Sequence, residues 1–241
     1  MRLQPMRFFC FHQVSDEYEP MYGGIENWTE TEHFKRHILA LKKKYKFISI
    51  SDALSHLKND TFRNKQYAVL TCDDGYQCVL KLLPWLEQQQ VPITLFINVQ
   101  YLDGVSYDPW FDNHWKEVPF VKKRSLLQNM YIHWNHLQTE LLFSENVTLA
   151  MHGMGHDDVS GMGKEAFILY IDQCVDLLGR HARFKPFFAY PWGRHSSYND
   201  KVLKKKGIIP VYCDGKSNYR FDGAIHREWI DGEKFEEQDE F

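Results

Sequence analysis

Asp73 and Asp74 stand side by side just after the run Tyr67 Ala68 Val69 Leu70, and Gly75 follows them. The run is short and apolar enough for a buried strand, so both carboxylates fall at a strand's C-terminal end, where glycine permits a sharp turn. Some eighty residues later His152 and His156 enclose Gly153 Met154 Gly155, again after an apolar run, Val147–Met151. The i, i+4 spacing lets both imidazoles face one divalent ion, an acidic ligand would complete the set, and a second carboxylate beside it could act as a base. Each segment also has an ordinary explanation. Adjacent aspartates before glycine are common in turns and caps because they accept hydrogen bonds from nearby amides. Among twelve histidines one pair can fall at this spacing by accident, and its glycines argue against a regular helix. What joins the two segments is that both end strand-like runs and so can emerge at one rim, where α/β folds build their sites.

The elements that must position these residues follow a strand–helix rhythm. Arg7 to His12 opens the chain as an apolar aromatic strand with His12 at its polar end. Thr29 Glu30 Thr31 Glu32 has the form of a capping box, and Phe34, Ile38, Leu41 and Tyr45 continue at helical spacing. Phe47–Ile50 reads as a short strand, with Ser51 capping a brief helix through Leu57. Beyond Gly75 the positions Val79, Leu82, Leu83 and Leu86 mark another helix, and Ile93–Val99 another strand. From Asp103 to Asn146 the pattern loosens around Tyr107, Trp110, Phe111, Trp115, Tyr131 and Trp134, with one helix expected inside. These rings are either a stacking platform for a ligand or plain core packing. Val147–Met151 resumes the strands, Phe167 to Leu178 traces a helix, and Phe187–Tyr190 is a strand stopped by Pro191. A helix capped by Asn199 and closed by Gly207 leads to Ile208–Tyr212, and Asp231–Phe241 reads as a fraying charged tail. About seven strands alternating with helices predict a parallel (β/α) barrel or an incomplete one, in one domain over residues 1–241.

Composition narrows the class. A chain of 241 residues with 44% hydrophobic and 25% charged residues is that of a folded α/β protein rather than a disordered one. A net charge of -3 gives no broad attraction to nucleic acid, and Lys204 Lys205 Lys206 reads as the positive last turn of a helix. No stretch is long enough to span a bilayer, and the start lacks the apolar core of a signal peptide. Five cysteines without a CxxC pair argue against a disulfide framework, which makes a reducing, cytoplasmic location the expectation.

Three segments together resemble the polysaccharide deacetylases, metal-dependent carbohydrate esterases. Thr71 Cys72 Asp73 Asp74 Gly75 is similar to the family's TFDDG signature, and His152–His156 to its HxxxH metal motif. Ala189 Tyr190 Pro191 Trp192 Gly193 is similar to its Pro-aromatic-Gly wall, and Phe11–Ser15 to the start of family members. The resemblance implies a distorted barrel of seven strands and a divalent metal held by Asp74, His152 and His156. Zinc is the first choice, with cobalt, nickel or iron compatible with the same ligands. It further implies Asp73 as general base, the backbone N–H of Trp192 as an oxyanion donor and an acetylated carbohydrate as substrate. The arginine that orients the base in this family is Ala189 here. Arg194 either substitutes for it or is a solvated loop charge, and without a nearby cation Asp73 is expected to protonate more easily. The late histidine that serves as general acid has its nearest match in His226, within Ala224–Arg227, with His12 as the other candidate. Hydrolysis of another non-peptide C–N bond in a small amide, or sugar binding without turnover, are the alternatives.

Overall fold

In the computed structural model the described residues are 4–18, 24–62, 65–106, 116, 118–142 and 144–232. The apolar runs form strands β1 (Arg7–Phe11), β5 (Tyr67–Cys72), β6 (Ile93–Ile97), β7 (Val147–Met151), β8 (Phe184–Ala189) and β9 (Ile209–Tyr212). Shorter strands add β2 (Gln13–Ser15), which pairs with β3 (Trp28–Glu30), β4 (Lys46–Phe47), which flanks β5, and β10 (Ile225–His226) and β11 (Glu228–Trp229), which pair with β9 and β1 respectively. Every strand pairing is parallel, and the main path runs β10-β9-β8-β7-β6-β5-β1-β11. Only Arg227 separates β10 from β11, so Ile225–Trp229 pairs with β9 on one side and β1 on the other and nearly closes a barrel. Counted as one position, that segment makes seven around the barrel, with the eight-strand path arising from its split.

Alternation along the strands divides the core in two. Phe8, Val69, Phe96, Ala150, Phe187, Ala189, Val211 and Ile225 form one buried cluster, and their strand neighbours Phe9, Leu70, Leu95, Leu149, Met151 and Phe188 belong to another. The second cluster takes in residues of three helices, such as Phe34, Ile38, Phe167, Ile171 and Leu203, and lies between sheet and helices, while the first fills the barrel, with Ile50, Ala53 and Leu57 packed onto it. Strands buried on both faces read as continuous apolar runs, which is why they were visible in the sequence.

The helix caps lie one to three residues from where sequence places them. Helix α1 (Thr31–Lys44) is capped by Glu30, whose carboxylate accepts from the amides of Glu32 and His33. Ser49, not Ser51, caps α2 (Ile50–Asn59), so the expected strand stops at Phe47 and Ile50, Ala53 and Leu57 turn into the core. After Gly75 the chain first winds as a tight turn, Gln77–Leu82, and becomes the α-helix α3 only over Leu83–Gln88, where Pro84 suits the first helical turn. Among the described residues, the aromatic segment holds α4 (Phe120–Met130) and α5 (Trp134–Gln138) rather than one helix. Tyr131 is buried and stacks on Tyr76, and Trp134 packs on the core, so both are packing residues, whereas Tyr107, Trp110, Phe111 and Trp115 lie outside the described residues. Helix α6 covers Lys164–Leu178, and α7 (Ser197–Lys205) is capped by Ser196. Asn199 is buried inside that helix and donates instead to the carbonyl of Val159 at 2.7 Å. No helix among the described residues is long and apolar enough to cross a membrane.

Candidate metal centre

The C-terminal ends of the strands deliver the predicted residues to one rim. The ladder continues one residue past the strands, with the Asp73 amide on the Phe11 carbonyl at 3.0 Å and the His152 amide on the Ile97 carbonyl at 2.8 Å. Asp74 then turns with φ 68°, His156 has φ 62° and Trp192 φ 58°, so three of the five non-glycine residues with positive φ among those described are at this rim. Such backbone persists where surroundings over-determine it, and it clusters at functional sites. The His152–His156 turn is held from outside by Tyr170, whose hydroxyl accepts from the Met154 amide at 2.7 Å and donates to Asp157 at 3.0 Å. Gly153, with φ 98°, has to be glycine because a Cβ there would lie 2.4 Å from that hydroxyl.

Asp74 Oδ1 lies 3.1 Å from His152 Nε2 and 3.3 Å from His156 Nε2. His152 Nδ1 is 3.0 Å from the carbonyl of Ala189, which can only accept, so in the neutral ring the proton sits on Nδ1 and Nε2 offers a lone pair. A carboxylate oxygen facing the His152 lone pair receives no hydrogen from it, and Asp74 Oδ1 is indeed buried without a hydrogen-bond partner. A cation satisfies all three. Two tetrahedral ligands about 2.0–2.1 Å from one zinc ion stand about 3.3 Å apart, which is the spacing found. The carbonyl that fixes the His152 tautomer is the kind of partner metal-bound histidines ordinarily have.

Asp73, also buried, is gripped by a residue that no sequence motif singles out. Arg227 donates from Nη1 to Oδ1 at 2.6 Å and from Nη2 to Oδ2 at 2.7 Å, and Nη1 also reaches Thr71 Oγ1 at 2.9 Å. Burial alone would push the Asp73 pKa up; Arg227, aided by His152, overrides it and holds the carboxyl at about 2. The expectation of an easily protonated base is therefore corrected: the cation missing at position 189 is supplied from the barrel's closing strand. Arg194 does not take that role, since it forms an exposed pair with Asp158 at 2.8 Å.

The two histidines considered as acids part company. His226 is engaged by carboxylates on both ring nitrogens, Asp214 at 3.0 Å and Asp222 at 3.2 Å, and its ring is tilted against that of Tyr212. Alternation on the closing strand sends its neighbour Arg227, not His226, to Asp73. His12 instead has a ligand-capable atom within 4.8 Å of Asp73 and Cys10 atoms. Its Nδ1 meets Asp231 Oδ2 at 2.5 Å, and its amide donates to Asp231 Oδ1 at 3.0 Å. Burial pushes the His12 pKa down, but the Asp231 carboxylate outweighs it and lifts the ring to about 10. Asp231 is thus not the start of a solvated tail but a buried partner of the site. Trp192 stands beside the centre, its ring 4.6 Å from that of His156 and its indole N–H donating to the His156 carbonyl at 3.0 Å.

A parallel barrel whose rim brings two histidines and a carboxylate together, with a second carboxylate next to them, defines an α/β-barrel protein with a candidate metal centre. The pattern of the polysaccharide deacetylase family matches residues 61–211, and the chain belongs to that family. The matched stretch contains Asp73, Asp74, His152, His156 and Trp192, whereas His12, Arg227 and Asp231 lie outside it, near the two ends of the chain. No curated protein matches the sequence. Among solved structures, IcaB from Ammonifex degensii superposes with a TM-score of 0.73 at 17% identity, over 94% of this chain and 91% of that one. The Streptococcus pyogenes deacetylase PplD, solved with acetate, gives 0.74 at 12% identity over 95% and 93%. The BpsB deacetylase domain from Bordetella bronchiseptica gives 0.67 at 17% identity over 93% and 95%. At these identities the likeness establishes the fold.

Proposed function

We propose that the protein is a metal-dependent deacetylase that hydrolyses an N-acetyl or O-acetyl group on a carbohydrate, with an N-acetylated amino sugar as the favoured substrate. The observation that carries the reading is the convergence of Asp74, His152 and His156 on one point beside a carboxylate that stays ionised. A divalent cation held by those three, zinc by preference, supplies an electrophile for the acetyl carbonyl and lowers the pKa of water. Asp73, kept charged by Arg227, accepts the proton of the attacking water. His12, kept protonated by Asp231, gives a proton to the departing nitrogen or oxygen. The Trp192 backbone N–H, on the turn that its indole pins to His156, donates to the developing oxyanion. The direct test is acetate release from N-acetylglucosamine oligomers before and after chelation. Release that disappears with the metal and returns when zinc is restored supports the reading. Release indifferent to chelation, sugar binding without release, or activity confined to small amides contradicts it.

The acid assignment has its own signature. The His12 pKa is raised from 6.5 to about 10, so the stabilisation it brings is complete below the unfolded value and is lost as pH rises through about 10. Replacing Asp231 with Asn removes the main raising influence, and burial then pulls the His12 pKa down. The alkaline limb of the kcat/KM profile is expected to move to lower pH in that variant. An unmoved limb would show that some other group is the acid.

A further inference from the structure

Cys10 is fully buried on β1, and the proposed hydrolysis gives it no role. Its sulfur, a His12 ring nitrogen and an Asp73 carboxylate oxygen all lie within 4.8 Å of one another. We propose that these three side chains form a second, inhibitory site for a thiophilic divalent cation, zinc or cadmium, next to the candidate metal centre.

The donor set supports this in three ways. Sulfur, imidazole and carboxylate together suit zinc and its softer congeners better than magnesium or calcium. Asp231 occupies His12 Nδ1, so Nε2 is the nitrogen left for a ligand, and a carboxylate on the opposite ring nitrogen is the usual support of a metal-bound histidine. Arg227 uses one lone pair on each Asp73 oxygen, and a carboxylate offers about four. Charge also balances. A divalent cation bound by thiolate and neutral imidazole displaces the thiol proton and a ring proton to solvent, which leaves the net charge unchanged. Occupancy ties up the proposed base and acid in the same complex. That consequence for activity rests on the deacetylase reading; the binding itself does not.

Titration of the metal-free protein with cadmium tests the site spectroscopically. The first equivalent goes to Asp74, His152 and His156, which contain no thiol, and is expected to produce no thiolate-to-cadmium charge-transfer band in the ultraviolet. The second equivalent is expected to produce it. Cys10→Ala and the near-isosteric Cys10→Ser should both lose the band while calorimetry still records the first equivalent, and Cys213→Ser, which changes the thiol that hydrogen-bonds with Cys10 but is not one of the three ligands, should keep it. With zinc, acetate release should rise to one equivalent and fall in excess. Read relative to each protein's own maximum, Cys10→Ala should need about tenfold or more zinc for half-inhibition, since even a partner one step removed from an ion is worth about 10–100-fold in affinity. A band at the first equivalent, or one that survives both Cys10 substitutions in folded protein, overturns the proposal. If acetate is never released but the band still arises only at the second equivalent and only with Cys10 intact, the second site stands and the deacetylase reading falls.

Discussion

Replacing Asp73 with Asn is expected to lower the rate of acetate release by about 10²–10⁴-fold, the usual contribution of a positioned general base. Asn keeps an oxygen that can accept from Arg227 but cannot take a proton from water at neutral pH. The ligands Asp74, His152 and His156 are untouched, so metal content, measured on the same preparation, should remain at the wild-type level. The loss should fall on kcat, with KM nearly unchanged, because the lost interaction belongs to the transition state. Turnover close to wild type in metal-replete Asp73→Asn protein would remove Asp73 from the mechanism.

Arg227→Met is expected to have the largest effect on the fold. Arg227 and Asp73 are both buried and joined by two short hydrogen bonds, so removing the guanidinium strands a carboxylate inside the barrel. Breaking a buried pair in this way costs about 3–5 kcal/mol, and for a chain of this size that lowers Tm by roughly 6–20 °C. The pH dependence changes with it. A depressed pKa gives stability that is present above the unfolded value and lost as pH falls, here from 3.8 through about 2. Without Arg227, burial raises the Asp73 pKa, so the acid limb of activity should shift upward in any folded fraction. Thermal melting across acid pH, together with that limb, checks both statements. A variant with unchanged Tm and an unchanged acid limb would mean that the pair neither stabilises the barrel nor tunes the base.

Much of this was visible in the sequence because the barrel strands are buried on both faces. Runs such as Ile93–Ile97 and Val147–Met151 cannot be mistaken for surface, and residues just past a strand's C-terminal end fall at the rim. That logic, joined to the adjacent carboxylates and the i, i+4 histidine spacing, picks out Asp73, Asp74, His152 and His156. The closing segment was missed because β10 and β11 have two residues each and mix Ile225 and Trp229 with charged neighbours. The signal that could have revealed it is the alternation of Ile225, Arg227 and Trp229, which places the arginine on the same face as a buried isoleucine. Its partner is 154 residues away, a separation over which local pattern says nothing. Asp231 was misread for a similar reason: an acidic stretch looks solvated until the strand beside it carries one aspartate back to His12. The helix caps shifted because neighbouring polar residues compete for the same role, and burial of Ile50, Ala53 and Leu57 selects Ser49 over Ser51.

The central claim is that three side chains remote in sequence share one cation. Crystals grown with one equivalent of zinc, measured on both sides of its absorption edge, test it most directly. The expected result is a single anomalous peak about 2.0–2.1 Å from His152 Nε2, His156 Nε2 and Asp74 Oδ1. A peak elsewhere on the molecule, with these three atoms left without a shared ion, would contradict it.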